Sequence, residues 1–211
     1  MKRTSKTTAR ADVPSPIDFH DLAQARTWME DTVRIRPWRP RFFAAFAGAL
    51  NRYGHGNARV LELGSGPGHL AAAILDACPI SEYVALDFSD AMHELAREHL
   101  GPLADRVRFD RRDFREADWL SGFSPFDAVL TLQAVHETRH RDRSPALFRQ
   151  IHSSLKPGGL FLYCDHYLPQ VTNPDLYLER DEQPLALAAA GFTDIERVLD
   201  EGGMALYGAF R

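Results

Sequence analysis

Gly64, Gly66 and Gly68 follow an apolar run with one acid in it, so the stretch reads Val60-Leu61-Glu62-Leu63-Gly64-Ser65-Gly66-Pro67-Gly68-His69-Leu70. Glycines at this spacing let a backbone pass close to a ligand, and a helix starting directly after them offers unpaired N–H groups. Strand, glycine turn and helix start together make a nucleotide-binding corner. Asp87 ends the next apolar run, where a carboxylate can hold both hydroxyls of a ribose. A dinucleotide fingerprint needs glycine or alanine where this chain has His69, so it fails at its last position. The glycines and Asp87 alone leave the nucleotide class open.

Proton-moving side chains gather in two other places, Val135-His136-Glu137-Thr138-Arg139-His140 and Asp165-His166-Tyr167. His136 is expected to face an acceptor and act as a base, because imidazole titrates near neutrality; His166 is a second candidate. Asp165 and His166 with His136 or Glu137 could be drawn as metal ligands. Their spacing matches no known site, and a polar pocket rim is the better reading, so no metal is expected.

The surrounding elements alternate. Apolar strands are expected at 60–63, 82–86, 107–110, 126–132 and 160–164, with helices at 70–77, from Ser89 to Leu100, and from Ser144-Pro145 onward. Such alternation makes a parallel sheet covered on both faces. A helix from Phe42 to Tyr53 precedes the first strand, and one or two short helices are expected within 17–33. After Gln183-Pro184 and a short helix, 192–199 and 204–210 read as strands of a β-hairpin turning at Gly202-Gly203. At 211 residues, 45% hydrophobic and 26% charged, the chain suits one soluble domain, and a net charge of −4 gives no general pull toward nucleic acid or anionic membrane. Cys78 and Cys164, far apart in apolar settings, fit a reducing cytoplasm. Residues 1–16 read as a disordered lead-in without a secretory signal, 17–211 as a single domain, and no segment is long enough to span a membrane.

Taken together, residues 40–211 resemble the class I S-adenosylmethionine-dependent methyltransferases. Leu61 to Gly68 is similar to the family's first motif and Ala85-Leu86-Asp87-Phe88-Ser89 to its second. Asp113-Phe114 matches the acidic loop after the third strand; Phe126-Asp127-Ala128-Val129 leading to Val135-His136, and Leu155-Lys156-Pro157-Gly158-Gly159, match the rest. The resemblance implies a Rossmann-like, seven-stranded, mostly parallel sheet ending in an antiparallel hairpin, with S-adenosylmethionine as cofactor and S-adenosylhomocysteine as product. It also implies roles. The turn Gly64-Ser65-Gly66 with Gly68 would pass the methionine portion, and Glu62, costly inside a strand unless partnered, would lead a donor network to the ammonium group. Asp87 would hold the ribose, and Phe88 and Met92 the adenine faces. Asp113 and the Phe114 amide would meet the adenine edge. Thr131, Leu132 and Gln133 would line the cofactor near its sulfonium. Asp127 is expected to support structure instead.

The acceptor would sit above the carboxyl ends of the strands under a cover of two aromatic pieces: a lid within 17–38 carrying Phe19, Trp28 and Trp38, and the loop 166–180 carrying Tyr167, Leu176 and Tyr177. That favours a small, partly apolar acceptor. Arg34, Arg36, Arg39 and Arg41 could instead grip an anion or RNA, but no RNA-binding module accompanies them. RNA or protein as acceptor, and binding of the cofactor without methyl transfer, are the alternatives. Acceptor atom and oligomeric state are left open.

Overall fold

A computed structural model describes residues 11–54, 56–171 and 173–211. Seven strands form one sheet in the order β3-β2-β1-β4-β5-β7-β6. The first five, β1 (Ala58–Leu63), β2 (Ile80–Asp87), β3 (Val107–Arg111), β4 (Phe126–Leu132) and β5 (Leu155–His166), run parallel. β6 (Thr193–Glu201) and β7 (Met204–Phe210) form the hairpin, with β7 antiparallel to β5. Near-continuous burial along β1, β2, β4 and β5 follows from cover on both faces. The strand order reverses between β1 and β4, the place where open α/β sheets bind ligands.

One core cluster lies under α2 (Arg39–Tyr53) and α3 (His69–Ala77), with Phe42, Phe46 and Ile74 fully buried. The other lies under α5 (Ser144–Ser154) and α6 (Glu182–Ala189), around Phe148, Phe161 and Phe126. Between β2 and β3, α4 (Asp90–Leu100) starts where the Ser89 hydroxyl accepts from the Met92 N–H at 3.1 Å, the expected cap. α1 (Leu22–Ile35) packs Ala25 against Ala91, Met92 and Leu95 of α4.

Several elements run a residue or two longer than expected, β1, β2 and β6 among them, and three differ in ways that have a cause or a consequence. α1 is one fourteen-residue helix rather than one or two short ones. α2 begins at Arg39 instead of Phe42, because Pro40 falls in its first turn, where a missing N–H costs nothing. β5 begins at Leu155, with a register irregularity against β4 before Leu160. Asp127 is a structural brace: it accepts from the Arg59 N–H at 2.8 Å and pairs with Lys156 at 2.7 Å.

Of the lead-in, residues 1–10 lie outside the described residues. Residues 11–16 have no regular secondary structure, yet Val13 N–H donates to the Arg139 carbonyl at 2.9 Å and Asp12 pairs with Arg143. No helix among the described residues is long and apolar enough to cross a membrane.

Candidate functional site

The three glycines of the turn serve three separate purposes. At Gly64 (φ +64°) a Cβ would stand 2.3 Å from the Ala134 Cβ, so β1 and the segment after β4 could not approach. At Gly68 (φ +79°) a Cβ would meet the Ala96 Cβ at 3.2 Å, so this glycine seats α3 against α4. At Gly66 (φ +52°) a Cβ would meet nothing within 4 Å: the backbone faces open space. The Gly66 N–H donates to Asp87 at 2.8 Å and the Ser89 N–H to its other oxygen at 3.0 Å, so one carboxylate fixes both the glycine turn and the start of α4. Burial pushes the Asp87 carboxyl up to about 6, against the pull of these amides.

The space beside Gly66 is a cavity of about 110 Å³ walled by Gly64, Asp87, Phe88, Met92 and Phe114, with Gln133, His136 and His166 on the β4–β5 side. These are the expected positions. The other expected residues stand elsewhere. Asp113 lines an adjoining cavity of about 310 Å³ with Phe88 and Phe114, and is held by Arg115 at 2.9 Å. Thr131 is fully buried with an unpartnered hydroxyl, behind the wall that Gln133 forms. Ser65 is buried too, its Oγ unpartnered. Glu62 does not touch the cavity: its partner is the Tyr83 hydroxyl at 2.7 Å, on the face of the sheet that carries the α2–α3 core. Burial holds Glu62 up at about 8.

The two histidines differ. His136 Nδ1 bonds Asp165 at 2.8 Å, its backbone N–H donates to the same carboxylate at 3.1 Å, and Nε2 stands 3.4 Å from Glu137. Burial disfavours the charged ring, but the two carboxylates outweigh it and hold His136 up at about 10. It is therefore an imidazolium at neutral pH, and the expected titration near neutrality does not hold. His166 is the reverse: burial, aided by the neighbouring His136 charge, pushes it down to about 4, although Asp165 pulls the other way. Its Nε2 lies 2.6 Å from the Gln133 amide nitrogen; the neutral tautomer with that nitrogen bare accepts from it. Gln133 adopts φ +55°, a conformation rare outside glycine, and this bond holds its side chain in place.

Above this wall opens a cleft of about 1130 Å³ between residues 13–19, α1 and residues 170–177. Trp28, Arg36 and Tyr177 wall both the cleft and the smaller cavity. The Tyr177 ring packs 5.0 Å from His136 and 5.8 Å from His166. Of the aromatic residues that the sequence marks as cover, Phe19, Trp28 and Tyr177 line the cleft, whereas Trp38 packs on the α2–α3 core beside Gly202 and Tyr167 turns to Asp200. Nothing in the sequence marks Ala134 as the small residue that Gly64 needs opposite, or Asp165 as the partner of His136.

Residues 60–159 match the family described as a methyltransferase domain. The highly reducing polyketide synthase sorA of Penicillium rubens is 29% identical over 206 residues, covering 80% of this chain but 8% of the synthase. An O-methyltransferase family protein from Burkholderia thailandensis superposes with a TM-score of 0.74 at 19% identity, over 91% of this chain and 60% of its own. The DhpI–SAH complex is similar over nearly the whole of both chains, 90% and 94%, at TM-score 0.65 and 25% identity. The chain belongs to the class I S-adenosylmethionine-dependent methyltransferases.

The cofactor of this methyltransferase family is S-adenosylmethionine, and the residues present fit it. The backbone of Gly66 faces a space that any side chain would fill. Asp87, only 4% exposed, turns a buried carboxylate to that space, and Phe88, Met92 and Phe114 give it apolar walls for a planar base.

Proposed function

We propose that this methyltransferase moves a methyl group to a nucleophile on a small, partly apolar molecule seated in the cleft above the cofactor cavity. The carrying observation is that cleft and cavity share walls: Phe19, Trp28, Arg36, His136, Glu137 and Tyr177 face both. The fungal relatives are polyketide synthases by name, which favours a small organic acceptor over RNA or protein. The chain spans less than a tenth of the length of the first of them.

When bound, the cofactor supplies a methyl group already activated by its sulfonium charge. The chain's work is then alignment and exclusion of water. Asp87 would accept from the ribose hydroxyls, Phe88 and Met92 would cover the adenine, and Asp113 with the Phe114 amide would meet its edge. Gly64, Gly66 and Gln133 would border the methionine portion. Glu62, Ser65, Gly68 and Thr131 act from behind the wall by fixing β1, α3 and β4. His136, clamped by Asp165 and Glu137, gives the junction a fixed positive charge; His166 positions Gln133. Residues 13–19 and α1 close the site.

Titration with S-adenosylhomocysteine, followed by labelled methyl uptake from S-adenosylmethionine into small-molecule, RNA and protein fractions, tests this reading. Label in the small-molecule fraction is expected. Label confined to RNA or protein would reassign the acceptor, and tight binding without label in any fraction would leave a non-catalytic binder.

A further inference from the structure

The four arginines around the α1–α2 junction do not form one basic patch. Arg34 pairs with Asp31 at 2.8 Å and Arg41 with Glu201 at 2.5 Å, both outside the site. Arg39, the first residue of α2, is buried away from the cavities. Arg36 alone of the four turns into the wall that cavity and cleft share. Its guanidinium makes one hydrogen bond among the described residues, to the Thr32 hydroxyl at a long 3.4 Å, and no carboxylate among them pairs with it.

Every acid near it is already engaged. Asp165 takes His136, Glu137 takes Arg139 at 2.9 Å and His136, and Asp87 takes two backbone amides. Burial pushes the Arg36 guanidinium below its ordinary range, as expected for a cation with no counter-ion beside it. The neighbouring Tyr177 hydroxyl has no hydrogen-bond partner among the described residues. A half-buried cation and a free hydroxyl on one wall are a receptor for an oxyanion.

The histidines point the same way. Both ring nitrogens of His136 face carboxylates, the Nε2 of His166 takes the Gln133 amide and the His166 ring also bonds the Gly203 backbone, so no imidazole nitrogen on this wall stands free to remove a proton from an acceptor. An ionised oxygen needs none removed.

We propose that the acceptor carries a carboxylate or phosphoryl-type oxyanion on an apolar body, and that Arg36 and the Tyr177 hydroxyl grip this group where cavity and cleft meet. The inference rests on the methyltransferase reading above. Methylation of such an oxygen forms one O–C bond and breaks one C–S bond, the electron pair staying on sulfur and no proton moving. The rest of the acceptor lies among Pro14, Ile17, Ile35 and Leu176, which line the cleft.

The test is calorimetric titration of acetate and of inorganic phosphate into protein saturated with S-adenosylhomocysteine. Wild type is expected to bind at least one of them. Losing the charge-assisted pair in Arg36→Gln should weaken that binding by roughly tenfold or more, with a smaller loss in Tyr177→Phe and partial recovery in Arg36→Lys. The S-adenosylhomocysteine affinity of these variants should stay within about twofold, which also reports that they fold. Anion binding that is absent from wild type, or that survives Arg36→Gln, overturns the proposal. So does an equal loss of S-adenosylhomocysteine affinity in Arg36→Gln, since the guanidinium would then belong to the cofactor's own carboxylate. Failure of wild type to bind S-adenosylhomocysteine at all would instead defeat the underlying methyltransferase reading. In the labelled assay, label should enter acceptors that an anion exchanger retains beforehand; label only in the unretained fraction keeps the methyltransferase and removes the oxyanion.

Discussion

Around the cofactor cavity, backbone does most of the holding. Asp87 ties the glycine turn to the start of α4, the Ser65 N–H donates to the Leu86 carbonyl at 3.0 Å, and Gly64 lets β1 meet Ala134. Across the junction the cover is stitched by side chains from remote stretches of chain. Arg139 reaches back to the carbonyls of Val13 and Pro14, at 2.8 Å each, and sideways to Glu137. Side-chain stitches open at lower free energy than a strand-end turn packed on both faces. On the proposed reading the difference divides the work between the two halves: one would keep the donor in a fixed place, and the other would give way to admit an acceptor.

The contrast is tested most severely where the halves meet. His136→Ala strips Asp165 of its cation and should cost about 3–5 kcal/mol of stability, as for one partner of a buried pair. Because the folded His136 titrates at about 10, above its ordinary 6.5, its contribution is complete below 6.5 and disappears as pH rises through about 10. Urea unfolding across that window should show the decline in wild type and lack it in His136→Ala. A flat wild-type profile would mean that the pair does not brace the junction.

Next are the glycines. Gly64→Ala combines a left-handed backbone with a clash on Ala134 and should cost about 2–4 kcal/mol. Gly66→Ala, with nothing near its Cβ, should cost about 1 kcal/mol in stability yet abolish S-adenosylhomocysteine binding. Similar behaviour of the two variants in unfolding and calorimetry would erase the distinction between framework and ligand glycine.

Asp87→Ala should weaken S-adenosylhomocysteine by about 1–3 kcal/mol, and unchanged affinity would remove the ribose role. Ribose hydroxyls donate to the ionised form, and Asp87 in the folded chain protonates at about 6. Cofactor affinity should therefore decline as pH is lowered through about 6, a trend absent from Asp87→Ala. The smallest effect is expected on the cover. Arg139→Ala should cost about 1 kcal/mol and raise hydrogen exchange in residues 12–20 while leaving S-adenosylhomocysteine affinity unchanged. If that affinity drops in parallel, cover and cofactor wall are one unit.

What could be read from the amino acids follows the same divide. Strand, glycine turn, helix and terminal acid are local patterns, so the corner and the sheet were visible in sequence order. How deep a residue sits along a strand is less visible: Thr131 and Gln133 share a side by alternation, yet only Gln133, just past the end of β4, reaches the cavity. The charge on His136 was invisible, because Asp165 comes from the end of a neighbouring strand. Arg36 was one of four similar arginines until the uninterrupted run of α1 turned it inward.

Leu132 lies opposite Cys164 in the β4–β5 ladder. Cys164 points to one face of the sheet, with the α2–α3 core, and Asp165 to the other. Inserting one residue into β5 ahead of Cys164 would put a thiol where the carboxylate meets His136, and deleting one would put His166 there, so that strand has no freedom to gain or lose length. Gln170, Val171 and Asn173, in the loop that follows β5, line the cleft but not the smaller cavity. Insertions and deletions beside them would reshape the cleft while leaving Tyr177 and the cofactor cavity in place.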